Sequence, residues 1–284
     1  MSKSMYSHEQ IIQAGQFTPE DMKEILQRRR DHNRLGFAYQ MAFVRLVNRF
    51  PAQQPLEVLP ELLTYVGLQL GIKTEVINLY AQRQPTITEH RQAITLYEGM
   101  CRFEKTGRQL LADFLFNEAS RLEQTGPLLI QAKRFLKEQA ILYPGDEVLR
   151  RLVANQRQAA RDHIYEHITK SLGQDARGKL DDLLETKDAY FTPLHILKQP
   201  PGRPSPAAIL RLTTKLELIR ETGASHIDLS WLNNNYQRSL ARYVRHRSAG
   251  RLRRLKSERR YAVLVCFLHQ LYADTIDFLI EMHD

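Results

Sequence analysis

The chain has 284 residues, of which 26% are charged and 43% hydrophobic, the balance of a globular protein with a buried core. At ~100–200 residues per domain, this length predicts one large domain or two. The longest unbroken apolar run is Tyr261–Leu268, whereas a membrane span needs ~20 residues, so no membrane helix is expected. The polar first residues, Met1–Gln10, lack a secretory pattern, which predicts a cytoplasmic protein.

The net charge of +9 is concentrated in one segment, which indicates an anionic partner. Ten basic residues and a single acid, Glu258, lie between Trp231 and Arg260. Nine of the ten bases are arginines, whose planar guanidinium group suits phosphates and guanine edges. The segment predicts contact with nucleic acid, and a solvated helix face is the ordinary alternative.

Nearly every segment has the periodicity of a helix and none alternates with period two, so we expect an all-α, multi-helical fold. Thr18 is placed to cap a helix that opens at Pro19, and Gly71 is placed to end a helix in the left-handed conformation. The predicted helices, in chain order, are Pro19–Arg30, Leu35–Phe50, Leu56–Leu70, Thr74–Gln82, Thr86–Tyr97, Lys105–Glu123, Pro127–Glu138, Asp146–Leu172, Gln174–Glu185, Thr192–Lys198, Pro206–Glu221, Trp231–Arg247 and Glu258–His283.

Three of these helices, from Leu56 to Tyr97, are short and tightly connected, as in a helix-turn-helix module. The last of them would present its first residues to a major groove. Those residues are hydroxyls and flanking cations, suited to phosphates and base edges: Arg83, Thr86, Thr88, His90 and Arg91. Three packed helices without any DNA contact are the alternative.

A second group of candidate DNA contacts follows in the C-terminal part. Arg211 and Lys215 lie one turn apart on one predicted helix. The next helix carries Arg238, Arg242 and Arg245 on one face, and Arg253 and Arg254 continue the basic run. Ordinary amphipathic helices are again the alternative.

Four prolines in eight residues mark a linker at Gln199–Pro206, because proline excludes a helix and favours an extended chain. Its Gly202-Arg203-Pro204 tripeptide matches the core of an AT-hook, so Arg203 is a candidate minor-groove contact, and a stiff spacer is the competing interpretation. We therefore expect an N-terminal helical DNA-binding module at 1–142, a helical connector at 143–198, the linker at 199–206, and a second DNA-binding module with the basic cluster at 207–284.

No catalytic, metal or cofactor site is expected. His163 and His167 lie four residues apart beside Glu166, but a third metal ligand is missing. Asp274, Asp277 and Glu281 share one face of a predicted helix, and we expect them to form salt bridges with the arginine run. The two cysteines cannot build a disulfide framework or a metal site by themselves.

Several motifs, in order along the chain, resemble the N-terminal region of Tn-three-family transposases. They are Arg28-Arg29-Arg30-Asp31-His32-Asn33-Arg34-Leu35-Gly36-Phe37-Ala38, Gln69-Leu70-Gly71-Ile72, Tyr80-Ala81-Gln82-Arg83, Thr86 with Glu89-His90, Pro200-Pro201-Gly202-Arg203-Pro204-Ser205-Pro206 and Arg259-Arg260-Tyr261-Ala262. The similarity spans essentially the whole chain. One departure is Ile87, where the family usually has a basic residue.

The resemblance implies helical DNA-binding modules that grip the terminal inverted repeats of a transposon, and it adds Arg34 to the candidate contacts. In that family, catalysis belongs to an RNase-H-like core with three acidic metal ligands, far downstream and without a counterpart here. The resemblance thus implies a non-catalytic DNA-binding part, located in the cytoplasm with the bacterial nucleoid, and a dimer only in the full-length protein. A helical protein–protein scaffold and a nonspecific nucleic-acid-binding protein remain alternatives.

Overall fold

The computed structural model describes residues 6–122, 124–186 and 191–282. Within them the fold is all-α, as predicted, and the only extended pairings are two isolated bridges. The helices are α1 His8–Gly15, α2 Pro19–Leu26, α3 Asp31–Val47, α4 Pro60–Leu70, α5 Ile77–Ala81, α6 Gln84–Tyr97, α7 Lys105–Ala119, α8 Thr125–Glu138, α9 Asp146–Lys170, α10 Gln174–Asp182, α11 Pro193–Leu197, α12 Pro206–Glu221, α13 Asn234–Arg245, α14 Ala249–Arg253 and α15 Ser257–Glu281, with 3₁₀ turns at Thr74–Val76 and Ala224–His226.

Helix boundaries follow local capping chemistry. Thr18 caps α2 as predicted, because its hydroxyl accepts the Asp21 amide while the Asp21 carboxylate accepts the Thr18 amide. Gly71 ends α4 at φ 66°, also as predicted. Two short helices, α1 and α14, were not predicted. The ends of the other helices lie within four residues of the predicted ones, some further in and some, such as the start of α3, further out. The predicted ends at Glu123 and His283 lie outside the described residues.

The chain divides into two compact units. The first comprises the residues up to Leu111 together with Ile130–Arg150, and the second comprises Ala112–Leu129 together with the residues from Arg151 on. The predicted division at 142/143 falls inside a segment of the first unit.

The Pro-rich segment 199–206 lies inside the second unit and does not separate two modules. Leu194 and Leu197 precede it, Ala224 and Leu240 follow it, and all four are buried in one hydrophobic cluster. Because the helices on either side share a core, the segment is a connection within one unit.

The first unit is built around α3, which packs against α1, α2, α4, α5 and α6. Ten consecutive residues, Leu35–Val44, are buried, so this helix is surrounded on all sides. Asn48 ends it in the left-handed conformation at φ 60°, which asparagine tolerates. The side chain of Asn48 donates to the Ile141 carbonyl (2.7 Å), joining the two segments of this unit.

The second unit is built around α15, which packs against α10, α12 and α13. By length and composition alone α15 could cross a membrane, although its longest unbroken apolar run has only eight residues. All eight residues of Tyr261–Leu268 are buried in the hydrophobic cluster of this unit. The apolar character of the first part of α15 is therefore explained by its place in a packed core, whereas Phe278 and Ile280 near its end are exposed.

Candidate nucleic-acid interface

Helix α13 turns a row of arginines to solvent. Its buried face consists of Tyr236, Gln237, Leu240, Ala241 and Val244. Arg238, Arg242 and Arg245 are exposed at i, i+4 and i+7, which is the arrangement expected from the sequence. The helix begins after Asn233, whose side-chain oxygen accepts the amides of residues 235 and 236.

Three arginines of the basic run are held in ion pairs. Arg245 contacts Asp274 at 2.5 Å, Arg253 contacts Glu185 at 3.0 Å, and Arg260 contacts Asp181 at 2.9 Å. The first pair confirms the salt bridge predicted for Asp274, whereas Asp277 and Glu281 make none within the described residues. To bind a phosphate, Arg245 and Arg253 would have to weaken or break their ion pairs with Asp274 and Glu185.

The ends of α13 and α15 meet around one aromatic ring. The guanidinium carbons of Arg247 and Arg259 lie 5.3 and 4.9 Å from the centre of the Tyr243 ring. Such cation–π contacts hold both arginines close together without neutralising their charge.

Arg259 also lines an open cleft of about 730 Å³ between α9 and the start of α15. Its other cationic side chains are Arg161, Arg254 and Lys256. The acidic side chains of the same cleft are Asp162, Glu166 and Glu258; Asp162 accepts from Gln158 (2.8 Å), and Glu166 pairs with Lys170 (2.7 Å).

The cleft leaves two hydrogen-bond donors unsatisfied. The Nε atoms of Arg161 and Arg259 are both buried, and no acceptor for them lies among the described residues. A buried donor without an acceptor costs ~1–3 kcal/mol, so the cleft favours a ligand that brings anionic oxygens. We refer to this cleft and the neighbouring cations without a carboxylate partner in the described chain as the arginine surface. Its members are Arg161, Arg238, Arg242, Arg247, Arg251, Arg254, Lys256 and Arg259.

Lys215 does not belong to any such surface, which corrects its assignment as a DNA contact. Its side chain is buried (7% exposed), and its ammonium group donates to the Gln199 carbonyl. Burial, with a smaller contribution from Arg211, lowers the pKa of Lys215.

The two other candidates near the Pro-rich segment are accessible. Arg211 is exposed and lies 3.5 Å from the Pro201 carbonyl. Arg203 is exposed beside Gly202, which adopts φ 85°.

In the first unit, His90 is a core residue, which corrects its assignment to a major groove. It is 6% exposed, and its Nδ1 lies 2.9 Å from the Tyr80 hydroxyl, which accepts a hydrogen bond from Gln40. Its ring stacks on Tyr80 and meets the edge of Phe37. Burial lowers the pKa of His90 to about 4, so the imidazole is neutral at pH 7.

Three of the motifs that resemble the transposase family, those around Arg28–Ala38, Tyr80–Arg83 and Thr86–His90, contribute residues to this buried network. Gly36 is in close contact with the Tyr80 ring, because a Cβ atom at this position would lie 2.3 Å from the ring carbons. The guanidinium carbon of Arg28 lies 4.1 Å from the centre of the Phe37 ring. Ile87, at the position where the family usually has a base, is fully buried. These motif residues therefore specify the core of the first unit.

The remaining candidates of this unit are distributed over its surface. Arg83 and Thr88 are exposed, and Thr86 is half-buried. Arg34 is half-buried, donates to the Arg28 carbonyl at 2.8 Å and approaches Asp31 at 3.5 Å. Arg91 is half-buried as well and is held by Gln40 and by the Pro51 carbonyl.

The three helices at Pro60–Leu70, Ile77–Ala81 and Gln84–Tyr97 are present, while their use as a helix-turn-helix DNA reader stays a prediction. Among the described residues no group of three or more metal-ligand side chains comes together. The ring centres of His163 and His167 lie 6.2 Å apart, and His167 packs against Trp231 at 4.4 Å.

Sequence reasoning missed Arg161 as a member of the cleft. It lies more than ninety residues before Arg254 and Arg259, on a helix that alternates basic, acidic and apolar residues. Only the packing of α9 beside α15 brings the three together.

Comparison with known proteins places this architecture in a family. The description "domain of unknown function (DUF4158)" matches residues 2–156, more than half of the chain. The chain belongs to this family, and it is related to the Tn-three-family transposases.

Three relatives show the extent of that relationship. The transposase for transposon Tn1546 of Enterococcus faecium is 27% identical over 271 residues, or 94% of this chain and 27% of the relative. The transposase for transposon Tn21 of Escherichia coli is 27% identical over 98% of this chain and 28% of its own length. The transposase for transposon gamma-delta of Escherichia coli (strain K12) is 27% identical over 93% and 27%, respectively. The chain thus spans little more than a quarter of the length of these relatives.

Proposed function

We propose that this chain is the DNA-binding part of a transposase and binds the terminal inverted repeats of a transposon as double-stranded DNA. The observation that carries this proposal is the arginine surface of the second unit, where cations without carboxylate partners surround a cleft with two unsatisfied arginine donors. The relatives support it by their names, since each is the transposase of a particular transposon.

The arginine surface would supply affinity through phosphate contacts. Each phosphate neutralised by an arginine releases condensed counterions, so the logarithm of the binding constant should fall with the logarithm of salt concentration by ~0.9 per contact.

Sequence preference needs contacts with base edges, and phosphates cannot supply it. In the first unit Arg83, Thr86 and Thr88 are the candidates that remain accessible at the start of α6. In the second unit the candidates are Arg211 and Arg203, the latter in a minor groove as an extended arginine. Arg34, Arg245 and Arg253 contribute as secondary contacts, since each already has an internal partner.

Footprinting on the end of the host transposon, with scrambled DNA of equal length as the control, tests this proposal directly. Protection of the terminal repeat with a steep dependence on salt is the expected result. Equal protection of both DNAs would leave only nonspecific nucleic-acid binding. The absence of binding to either DNA would favour the protein–protein scaffold with an acidic partner.

We further propose that the chain by itself does not cleave DNA and acts in the bacterial cytoplasm at the nucleoid. The relatives are named as transposases, which are enzymes, and almost three quarters of their length lies outside the match. Incubation of the purified chain with a transposon end and magnesium should give no nicked product. Magnesium-dependent nicking at the transposon end would contradict this part of the proposal.

A further inference from the structure

The first unit contains an open cleft of about 440 Å³, most of whose lining lies outside the predicted DNA contacts. This volume lies within the ~300–1,000 Å³ range of small-molecule sites. Its lining comes from four separate segments of the chain. The lining residues are Phe50, Gln53, Thr88, Arg91, Arg102, Phe103, Leu142 and Tyr143.

Backbone hydrogen bonds fix the walls of this cleft relative to one another. The Cys101 amide donates to the Ala140 carbonyl (2.8 Å), and the Leu142 amide donates to the Cys101 carbonyl (2.9 Å). The Tyr143 amide donates to the Asn48 carbonyl (2.8 Å), which anchors the same wall to the end of α3. The backbone that carries Phe103 and Tyr143 is therefore held in place without a ligand, which lowers the entropy cost of binding.

Arg91 is the residue of this cleft best suited to bind an anion. Its Nε donates to the Gln40 side chain at 3.1 Å, its Nη2 donates to the Pro51 carbonyl, and its guanidinium carbon lies 5.2 Å from the centre of the Phe50 ring. A guanidinium has five N–H donors, so these two bonds leave the others without an acceptor in the described residues. Burial lowers the pKa of Arg91, and no carboxylate pairs with it in the described chain.

The rest of the lining matches the two chemical parts of a nucleotide, the aromatic base and the anionic phosphate. Phe50, Phe103 and Tyr143 offer aromatic rings for stacking, which every base accepts. Arg102 is exposed at the rim beside Arg91, and none of the eight lining residues is acidic. Two cations in an acid-free cleft suit a phosphate, while the Gln53 amide offers a hydrogen-bond donor and acceptor to the edge of a base.

We propose that this cleft binds one nucleotide, with the base stacked on the aromatic side chains and the phosphate bound by Arg91 and Arg102. The nucleotide belongs either to an unpaired position of a DNA strand or to the free pool, and both sources present the same chemistry. This site lies within the first unit, and its occupation is independent of duplex binding by the arginine surface.

The test uses the whole chain and the fluorescent base 2-aminopurine, whose emission is quenched by stacking. Three probes distinguish the sources: the free deoxynucleoside 5′-monophosphate, a duplex with 2-aminopurine at a single-nucleotide bulge, and the fully paired duplex. We expect saturable quenching with the free nucleotide, with the bulged duplex or with both. The paired duplex should give none beyond the quenching it already has.

Two variants and one matched control locate the site. Arg102→Ala removes an exposed phosphate contact and should weaken probe binding about tenfold, as expected for a hydrogen bond to a charged group. Phe103→Leu removes a stacking surface and should weaken it about fivefold or more. Arg108→Ala changes an exposed arginine of the same unit that does not line the cleft, and it should have no effect.

Paired-duplex affinity, measured on the same proteins by anisotropy, keeps this proposal separate from the proposed function. Arg102→Ala should leave that affinity unchanged, and Arg242→Ala should lower it without changing the quenching. Quenching by neither the free nucleotide nor the bulged duplex would overturn the nucleotide site. So would equal losses from Arg102→Ala and Arg108→Ala, or the absence of an effect from both cleft variants.

Discussion

The characteristic sequence motifs of the two units end up in opposite environments, buried in the first unit and exposed in the second. In the first unit the most distinctive motif residues, Gly36, Tyr80 and His90, form a buried network. In the second unit the basic run remains outside, with Arg238 and Arg242 exposed on α13. A motif rich in polar residues thus identifies a position that matters, while the neighbouring apolar residues decide whether it faces the core or solvent.

The difference has a physical origin in the two central helices. Helix α3 is buried along ten consecutive residues, so a polar side chain such as Gln40 must find its partners inside the unit. Gln40 donates to Tyr80 and accepts from Arg91, which draws both residues inward. Helix α13 buries only one face, and its arginines can keep their charged heads in water.

The largest effect is expected from Asp21, which holds the first unit together. Its carboxylate accepts two hydrogen bonds from Arg45, at 2.9 and 2.8 Å, and one from the Tyr97 hydroxyl at 2.8 Å. Asp21 is only 3% exposed, and Asp21→Asn leaves Arg45 with Glu98 (2.7 Å) as its one carboxylate partner among the described residues, so the change should cost about 3 kcal/mol of unfolding free energy. Chemical denaturation measures this loss.

The same carboxylate predicts a dependence on pH. Burial by itself would raise the pKa of Asp21, but hydrogen bonds from Arg45, the Thr18 amide and Tyr97 outweigh it and lower the pKa to about 2. Since the folded-state pKa is below the ordinary value of 3.8, this stabilisation is present above pH ~4 and is lost as pH falls towards 2. Asp31→Asn, at an exposed ion pair, should change stability by less than ~0.5 kcal/mol. Equal losses from both variants would contradict the role of Asp21.

The second prediction concerns the arginine surface. Arg242→Ala combined with Arg254→Ala should weaken duplex binding about tenfold or more, because two cations without carboxylate partners lose their phosphate contacts. The salt slope should flatten by ~0.9 for each contact. Anisotropy titrations over a series of salt concentrations measure both quantities.

The control for this prediction replaces both members of an ion pair, so that one positive and one negative charge are removed together. Arg245→Met combined with Asp274→Leu leaves the net charge unchanged, so we expect a change in affinity below about threefold. If this pair weakens binding as strongly as the Arg242 and Arg254 pair, internal salt bridges do not distinguish structural from DNA-binding arginines here.

The third prediction separates two residues that the sequence placed together. Lys215→Met should leave DNA affinity within about twofold and stability within about 1 kcal/mol, because a buried amine is replaced by an apolar side chain of similar length. Arg211→Met, one turn away and exposed, should weaken duplex binding about fivefold. A larger loss of affinity from Lys215→Met than from Arg211→Met would show that the ammonium leaves the core to bind DNA.

The sequence predicts what depends on near neighbours. Periodicity and caps located most helices, since the signals at Thr18 and Gly71 act within one turn. It also placed Arg238 and Arg242 correctly on a solvent face. In contrast, His90 follows two exposed residues, Thr88 and Glu89, and its burial depends on Tyr80 and Phe37 from other helices.

Sites assembled from distant segments were beyond such reasoning. The basic cleft needs α9 beside the start of α15, and the cleft of the first unit needs four loops and helices spread from Phe50 to Tyr143. Hydrophobic periodicity cannot predict contacts between residues so far apart in the sequence. The interpretation of segment 199–206 as a linker between modules failed for the same reason. Its prolines are visible in the sequence, whereas the hydrophobic cluster shared by the helices before and after it is visible only in the structure.

The smallest effect tests whether the first unit takes any part in reading sequence. Thr88 is exposed near the start of α6, and its hydroxyl donates to the Gln84 carbonyl at 3.1 Å. Thr88→Val keeps the shape of the side chain but removes the hydroxyl, so a lost base contact should reduce the preference for the transposon end about threefold, or ~0.6 kcal/mol, and leave nonspecific binding unchanged. Thr95→Val is the matched control, because Thr95 lies on the same helix and makes the same bond to the carbonyl four residues back, at 2.7 Å. Competition between specific and scrambled duplexes measures the preference for each variant. If Thr88→Val and Thr95→Val change it equally, the start of α6 does not read bases. Sequence recognition would then have to come from the exposed arginines of the second unit.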